Sequence, residues 1–141
     1  MTPAVRIELP GLVRGKGRPR RGKGGHVYTD TETESYEGAL RTCGRAAMGG
    51  RDPLKGPLAI AVLAVFPVPP SWSERRRAAA LAGALRPTGR PDFDNILKTI
   101  DALNGVAWGD DAQVVRCVMD KVYGAQPRLV IDVYLPGGGA P

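Results

Sequence analysis

The sequence is poor in the residues that bind zinc or form disulfides. It contains two cysteines, Cys43 and Cys117, far apart along the chain, and a single histidine, His26. This inventory cannot supply a zinc cluster within one chain. We expect both thiols to be reduced and partly buried. Nothing beside either cysteine supports a Cys–His nucleophilic pair, so the reactive groups are expected among the carboxylates.

Long apolar segments are also missing. No apolar run approaches the roughly 20 residues that a membrane-spanning helix needs, and the first residues lack the apolar region of a secretory signal. The 19 glycines and 13 prolines occur in clusters without a fixed period, which excludes collagen-like repeats and indicates long loops. We therefore expect a cytoplasmic protein that is neither secreted nor bound to a membrane.

The first half of the 141-residue chain predicts two main strands, a short strand at residues 27–29 and a helix. Alternating apolar residues in Val5–Leu9 indicate a half-buried strand. The stretch 30–48 reads as a helix with a Thr29–Glu32 capping box and an apolar face, and Gly49-Gly50 ends it. The most apolar run, Leu58–Val68, predicts a long central strand.

The second half predicts two helices followed by two strands. Ser71 and Glu74 form a second capping box for a short helix over 72–82, and residues 95–104 read as another helix. Residues 114–123 and 128–134 read as strands joined by a turn. Together these elements predict a single α+β domain over residues 1–136, a mixed β-sheet with helices packed on one side. Within this domain, residues 11–26 are expected to form a basic flexible loop. Residues 67–91 are expected to form a long connection between core elements that contains a short helix. Residues 137–141 are expected to be a disordered tail.

The charge is unevenly distributed. The net charge is +6, and the run RGKGRPRRGK from Arg14 to Lys23 holds six basic residues in ten and no acid. Such a run is suited to phosphate contacts, although a solvated surface explains it equally well. If the partner is DNA, the residues expected to contact it are Arg14, Lys16, Arg18, Arg20, Arg21, Lys23, Arg75, Arg76, Arg77 and Arg90.

The most informative stretch is RPDFDNILKTIDALNGVAWGDDAQV, residues 90–114. Pro91 disfavours helix before it, which predicts an extended segment in which Asp92 and Asp94 point to the same side. Asp94 is then expected to cap the following helix. On that helix, Phe93 and later apolar residues mark the buried side, whereas Asp94, Lys98 and Asp101 share the polar side.

A second acidic pair follows a predicted chain reversal. Asp110 and Asp111 come after the reversal at 105–109, which could return them to the edge that carries Asp92 and Asp94. Carboxylates brought together repel one another unless a cation lies between them, and Mg²⁺ or Mn²⁺ prefers such hard oxygen ligands. Spacing alone also allows a plain alternative, in which D-x-D-N is a helix cap and D-D an ordinary turn.

The same stretch resembles the signature of the RusA-type Holliday junction resolvases of bacteria and their phages. The basic RGKGRPR arm, the VYT before the acidic helix start and the PPSWSERRR ahead of D-x-D extend the resemblance over most of residues 5–134. By that resemblance the essential carboxylates are Asp92, Asp94 and Asp111, and Lys98 is the essential lysine. Asp101 and Asp110 are secondary candidates.

The resemblance implies a RusA-like fold and a homodimer that binds four-way DNA. It also implies that Mg²⁺ or Mn²⁺ supports two symmetric nicks, in which a metal-activated water attacks phosphorus. Such a protein is expected to associate with the nucleoid. The long apolar strand and the outward residues of the terminal strands are candidates for the dimer surface. Two other functions remain compatible with the residues: a non-catalytic basic DNA-binding module and a metal-dependent phosphatase acting on small substrates.

Overall fold

The elements of the fold are seen in a computed structural model that describes residues 2–17, 20–28 and 30–136. Along the chain they are β1 (Val5–Pro10), β2 (Arg20–Arg21), β3 (Val27–Tyr28), α1 (Thr31–Met48), β4 (Leu58–Phe66), α2 (Glu74–Leu81), α3 (Phe93–Lys98), β5 (Val114–Tyr123) and β6 (Arg128–Tyr134). Short 3₁₀ turns cover Lys23–Gly25, Thr99–Leu103 and Asp111–Gln113. The predicted tail 137–141, the predicted cap Thr29 and the candidate Arg18 lie outside the described residues.

A mixed four-stranded sheet forms the centre of the molecule, which confirms the predicted α+β class. Its strand order is β1-β6-β4-β5, with β4 and β5 parallel and the other two pairs antiparallel. One face carries alternate side chains such as Ile7, Ile60 and Ile131, which are buried in one core with Leu40 of α1. The opposite face carries charged pairs such as Arg6–Asp132, at 2.6 Å. Sequence alternation therefore divides the sheet into a covered and an open face.

The strands β5 and β6 begin and end where the sequence predicts, but they do not pair with each other. β4 lies between them and is hydrogen bonded along both edges. The most apolar strand takes the central position because both of its edges are then hydrogen bonded and most of its side chains are buried. This position leaves β5 at one edge of the sheet.

The first two helices begin at different caps from those predicted. The N-cap of α1 is Asp30, whose side chain accepts a hydrogen bond from Thr33 N at 2.9 Å. The N-cap of α2 is Ser73 rather than Ser71. The amide of Trp72 instead donates to Pro69 O at 3.2 Å, so the residues after the prolines form a turn before the helix starts.

The helix that follows D-x-D also begins earlier than predicted. Asp92 occupies the N-cap and α3 starts at Phe93, so Asp94 lies in the first turn instead of capping the helix. The expectation that Phe93 is buried is wrong, since its side chain is 63% exposed. Side chains on a helix point towards its N-terminus, and Phe93 is the first helical residue, so no preceding turn lies beneath it. Ile96 and Leu103 are buried as predicted.

The N-terminal part of the basic arm is packed against the two helices that carry acidic residues. Lys16 N donates to Asn95 O at 2.9 Å, and Gly17 N donates to Thr33 Oγ1 at 2.9 Å. A Cβ atom on Gly15 would lie 2.9 Å from Pro91 Cβ, so this close approach requires glycine. Further along, β2 and β3 pair as a short antiparallel ladder. Residues 15–17 therefore have fixed partners that the glycine-rich sequence did not predict.

Among the residues described, no helix has the length and apolar character needed to cross a membrane.

Candidate active site

Four of the sequence-predicted site residues converge on one open cavity of about 370 Å³. Asp94 and Lys98 reach it from α3, Asp101 from the following 3₁₀ turn, and Asp111 from the turn before β5. Lys98 Nζ lies 3.9 Å from Asp94 Oδ2, the i, i+4 pair expected on one side of a helix. The chain reversal at 105–109 thus returns Asp111 to the helix, as the sequence predicts.

Asp111 is crowded by other carboxyl groups. Its pKa is raised to about 6, first because its carboxyl lies within hydrogen-bonding reach of Asp101 and then of Asp110, with partial burial and their negative charge adding to the effect. Asp110 shows the opposite shift, because the backbone N–H of Ala112 stabilises its carboxylate and lowers the pKa. A carboxyl that gains a proton to relieve such crowding is also placed to gain a cation.

Asp92 lies on a neighbouring and larger cavity. This cavity, of about 630 Å³, is lined by Arg14, Asp30, Glu32, Arg90 and Asp92 among others. Asp92 and Asp94 therefore line different cavities, contrary to the prediction that both point to one side, because the helix starts between them. Although Asp92 is the N-cap of α3, its side chain makes no capping hydrogen bond. The carboxylates of Asp30 and Asp110 do cap their helical turns, so the plain helix-cap interpretation does not account for Asp92.

No three side chains of the His, Cys, Asp or Glu type, within the part of the chain that is described, are close enough to surround a metal ion. The donor chemistry nevertheless suits a hard divalent cation, since Asp94, Asp101 and Asp111 offer only carboxylate oxygens around one cavity. The pKa of Asp111 is raised mainly by hydrogen bonding with Asp101 and Asp110, with their negative charge adding to the effect. These residues fit Mg²⁺ or Mn²⁺ better than a soft metal.

The predicted DNA-contacting residues fall into two groups. Lys16 is engaged within the protein, 3.4 Å from Glu37 and 3.6 Å from Asp101, and Arg14 lies 3.4 Å from Glu32. Lys16 thus links the arm to the acidic cluster, which consists of Asp94, Asp101, Asp110 and Asp111. Exposed basic side chains free to meet a polyanion are Arg21, Lys23, Arg75, Arg76, Arg77 and Arg90. Of these, Arg76 is stacked over the ring of Trp72 at 3.7 Å.

Sequence reasoning overlooked Gln113, which holds the loop of the second acidic pair. Its Oε1 accepts from the backbone N–H groups of Gly109 and Asp110, at 2.9 and 3.0 Å. Its Nε2 donates to the carbonyls of Leu54 and Gly56, at 3.0 and 2.9 Å. The D-D-x-Q spacing contained this signal, because a glutamine at the third position of a helical turn after Asp completes a capping box.

An α+β domain that gathers carboxylates and a lysine beside a basic arm belongs to the class of proteins equipped to act on nucleic acid phosphates. Within that class, the sequence profile of endodeoxyribonuclease RusA matches residues 10–134. The chain therefore belongs to the RusA endodeoxyribonuclease family.

A relative is found in Bacillus subtilis (strain 168), where it is described as the uncharacterized protein YqaN. The two sequences are 38% identical over 83 residues, which is 57% of this chain and 58% of the relative. The matched part thus spans little more than half the length of the relative.

Proposed function

We propose that this protein is a divalent-metal-dependent endodeoxyribonuclease that resolves four-way DNA junctions by paired symmetric nicks. Family membership supports the endonuclease class. The observation that carries the proposal is the crowding of Asp111 against Asp101 and Asp110, next to Lys98 and Asp94. A basic DNA-binding module that used its acids only as caps would gain nothing from such mutual repulsion.

The chain's own residues have distinct roles in this proposal. Asp94 and Asp111, on one cavity, and Asp92, on the neighbouring cavity, would hold Mg²⁺ or Mn²⁺ between them. Asp101 and Asp110 set the charge around Asp111. When bound, the cation supplies Lewis-acid charge and lowers the pKa of water. Lys98, already beside Asp94, stabilises negative charge on the phosphate as the strand is cut.

The basic residues supply affinity for DNA without reading its sequence. The arm holding Arg21 and Lys23 and the α2 surface holding Arg75 and Arg77 are exposed. The arm is fixed at residues 15–17 to the helices beside the acidic cluster. A phosphate backbone bound by the arm is thereby held near the carboxylates, as hydrolysis requires.

A homodimer completes the proposal. A four-way junction has approximate two-fold symmetry, and two symmetric nicks need two active sites related by a two-fold axis. The described residues of one chain offer one such acidic cluster, so a second copy must supply the other.

Cleavage of a labelled four-way junction, compared with linear duplex of the same sequence, tests the proposal. We expect Mg²⁺-dependent paired nicks in the junction, none with EDTA, and little cutting of the duplex. Binding without cleavage in Mg²⁺ or Mn²⁺ would favour the non-catalytic module. Hydrolysis of small phosphate esters without junction binding would favour the phosphatase.

A further inference from the structure

A lysine outside the predicted site binds the segment that leads into Asp92. Lys121, half-buried on β5, donates from Nζ to the carbonyl oxygens of Gly89 and Pro91, at 2.7 and 3.0 Å. Its Nζ also lies 5.2 Å from the centroid of the Phe66 ring. Two charge-assisted hydrogen bonds and an aromatic neighbour hold this ammonium in one orientation.

Apart from the close packing of Gly15 against Pro91, the segment it binds has few other fixed points. Residues 84–91 connect α2 to α3 as turns and bends without a helix or strand. Arg86 also contacts β5, with Nη1 3.4 Å from Lys121 O and 3.6 Å from Asp120 Oδ1. These contacts are long and exposed, and exposed ion pairs contribute little to stability. The shorter bonds from Lys121 therefore hold the end of the segment next to Asp92.

We propose that Lys121 is a positioning residue that fixes the Asp92 carboxylate relative to the cluster of Asp94 and Asp111. The inference rests on the proposed nuclease function. Pro91 directly precedes Asp92, so a displacement of the Pro91 carbonyl moves the carboxylate with it. A misplacement of about 1 Å at a reacting centre can cost about 100-fold in rate.

The competing role for Lys121 is a direct phosphate contact. The two roles differ in their salt dependence, because each phosphate contact contributes about 0.9 to the slope of log affinity against log salt concentration. A lysine that uses two of its three donors on carbonyls and is held in place by them should leave that slope unchanged when it is replaced.

The test compares Lys121→Met and Lys121→Arg with the control Arg116→Met. Arg116 is exposed on the same strand, and its side chain makes no hydrogen bond or ion pair with the residues described. Amide hydrogen exchange of residues 84–92, measured without DNA, should be faster in Lys121→Met and unchanged in the control. Thermal unfolding of each variant confirms that the fold is retained.

The kinetic readout is kcat against KM on a four-way junction. For Lys121→Met we expect kcat to fall about 10–100-fold, with KM and the salt slope close to wild type. Lys121→Arg, which retains N–H donors and charge, should recover part of both the rate and the exchange protection. Unchanged exchange in Lys121→Met, or a salt slope lowered by about 0.9, would overturn the inference. If the wild-type protein cuts no junction, the proposed function fails. The exchange experiment still tests whether Lys121 holds the segment that precedes Asp92.

Discussion

The carboxyl groups of Asp101 and Asp111 lie within hydrogen-bonding reach of each other, although one follows α3 and the other precedes β5. Their proximity, with Asp110 beside them, raises the pKa of Asp111 to about 6. Lys16 lies 3.6 Å from Asp101 and partly balances this charge from the basic arm. The acidic cluster and the arm are thus one electrostatic unit, and a cation at Asp111 would relieve the remaining repulsion.

Packing between α1 and the 3₁₀ turn that follows α3 gives a prediction about stability. A Cβ atom on Gly44 would lie 2.6 Å from Leu103 Cδ2, and both residues are buried. We expect Gly44→Ala to lower the free energy of unfolding by about 1–3 kcal/mol through overpacking. Denaturant titration measures the change.

Gly38 provides the matched control in the same helix, because an added Cβ there would meet nothing within 4 Å. Gly38→Ala should raise the free energy of unfolding by about 0.5–1 kcal/mol. Equal effects of the two substitutions would contradict the described contact between α1 and the 3₁₀ turn.

Gln113 gives a prediction about the loop of the second acidic pair. Gln113→Glu retains an acceptor for Gly109 N and Asp110 N but cannot donate to the carbonyls of Leu54 and Gly56. We expect a loss of about 1 kcal/mol in unfolding free energy. Junction cleavage should also slow by about tenfold or more as Asp111 moves. Gln126→Glu, on an exposed turn, serves as the control, and equal cleavage by both variants would refute a role for Gln113.

The arm gives a prediction about salt dependence. Replacing Arg18, Arg20 and Arg21 together by alanine should reduce the slope of log affinity against log salt by up to about 2.7, at about 0.9 for each phosphate contact. Fluorescence anisotropy with a labelled junction measures the slope. A control triple variant at the exposed residues Arg45, Lys55 and Arg116 removes the same charge from outside the arm. Similar slopes for the two triple variants would show that DNA affinity depends on the net charge of the protein and not on contacts made by the arm.

The edge strand gives a prediction about assembly. Val115 and Val118 on β5 are 66% and 47% exposed, and a long exposed edge strand with apolar side chains favours association. We expect sedimentation at micromolar concentration to give twice the 15.0 kDa mass of the chain. Val118→Lys should shift the protein towards monomer, whereas Val27→Lys on the arm should not. A wild-type monomer that still nicks junctions in pairs would contradict the homodimer.

Much of the sheet could be predicted because alternation and β-branched runs identify strands locally. The bounds of β5 and β6 were predicted in this way, and β1 differs only at Pro10. Their pairing could not be predicted, since the placement of β4 between them depends on burying the most apolar strand at the centre. Cap positions were also wrong where several candidates compete, as with Ser71 and Ser73, because the turn at Trp72 decides between them.

Residue type and spacing, which are local features, drew attention to the acidic residues of the candidate site. The choice of Asp92, Asp94, Asp111 and Lys98 as the essential set came from the resemblance to the RusA-type resolvases. The meeting of Asp111 with Asp101 follows from the predicted chain reversal. Lys121 was not predicted, because a lysine that binds two backbone carbonyls across the fold has no pattern in the sequence. The ion pairs of Lys16 with Glu37 and Asp101 could not be predicted either, since the sequence of a basic run gives its charge but not the residues that it contacts.

The central claim is that carboxylates of the acidic cluster perform metal-dependent cleavage while the basic residues bind DNA. The most direct measurement compares Asp111→Asn with Asp120→Asn, a carboxylate exposed on β5, for both cleavage and binding of a four-way junction in Mg²⁺. We predict that Asp111→Asn binds as tightly as wild type or more tightly, because a negative charge is removed. Its cleavage should fall by more than the roughly 10–100-fold that loss of a supporting residue costs, while Asp120→Asn cuts normally. Full cleavage by Asp111→Asn would contradict the account.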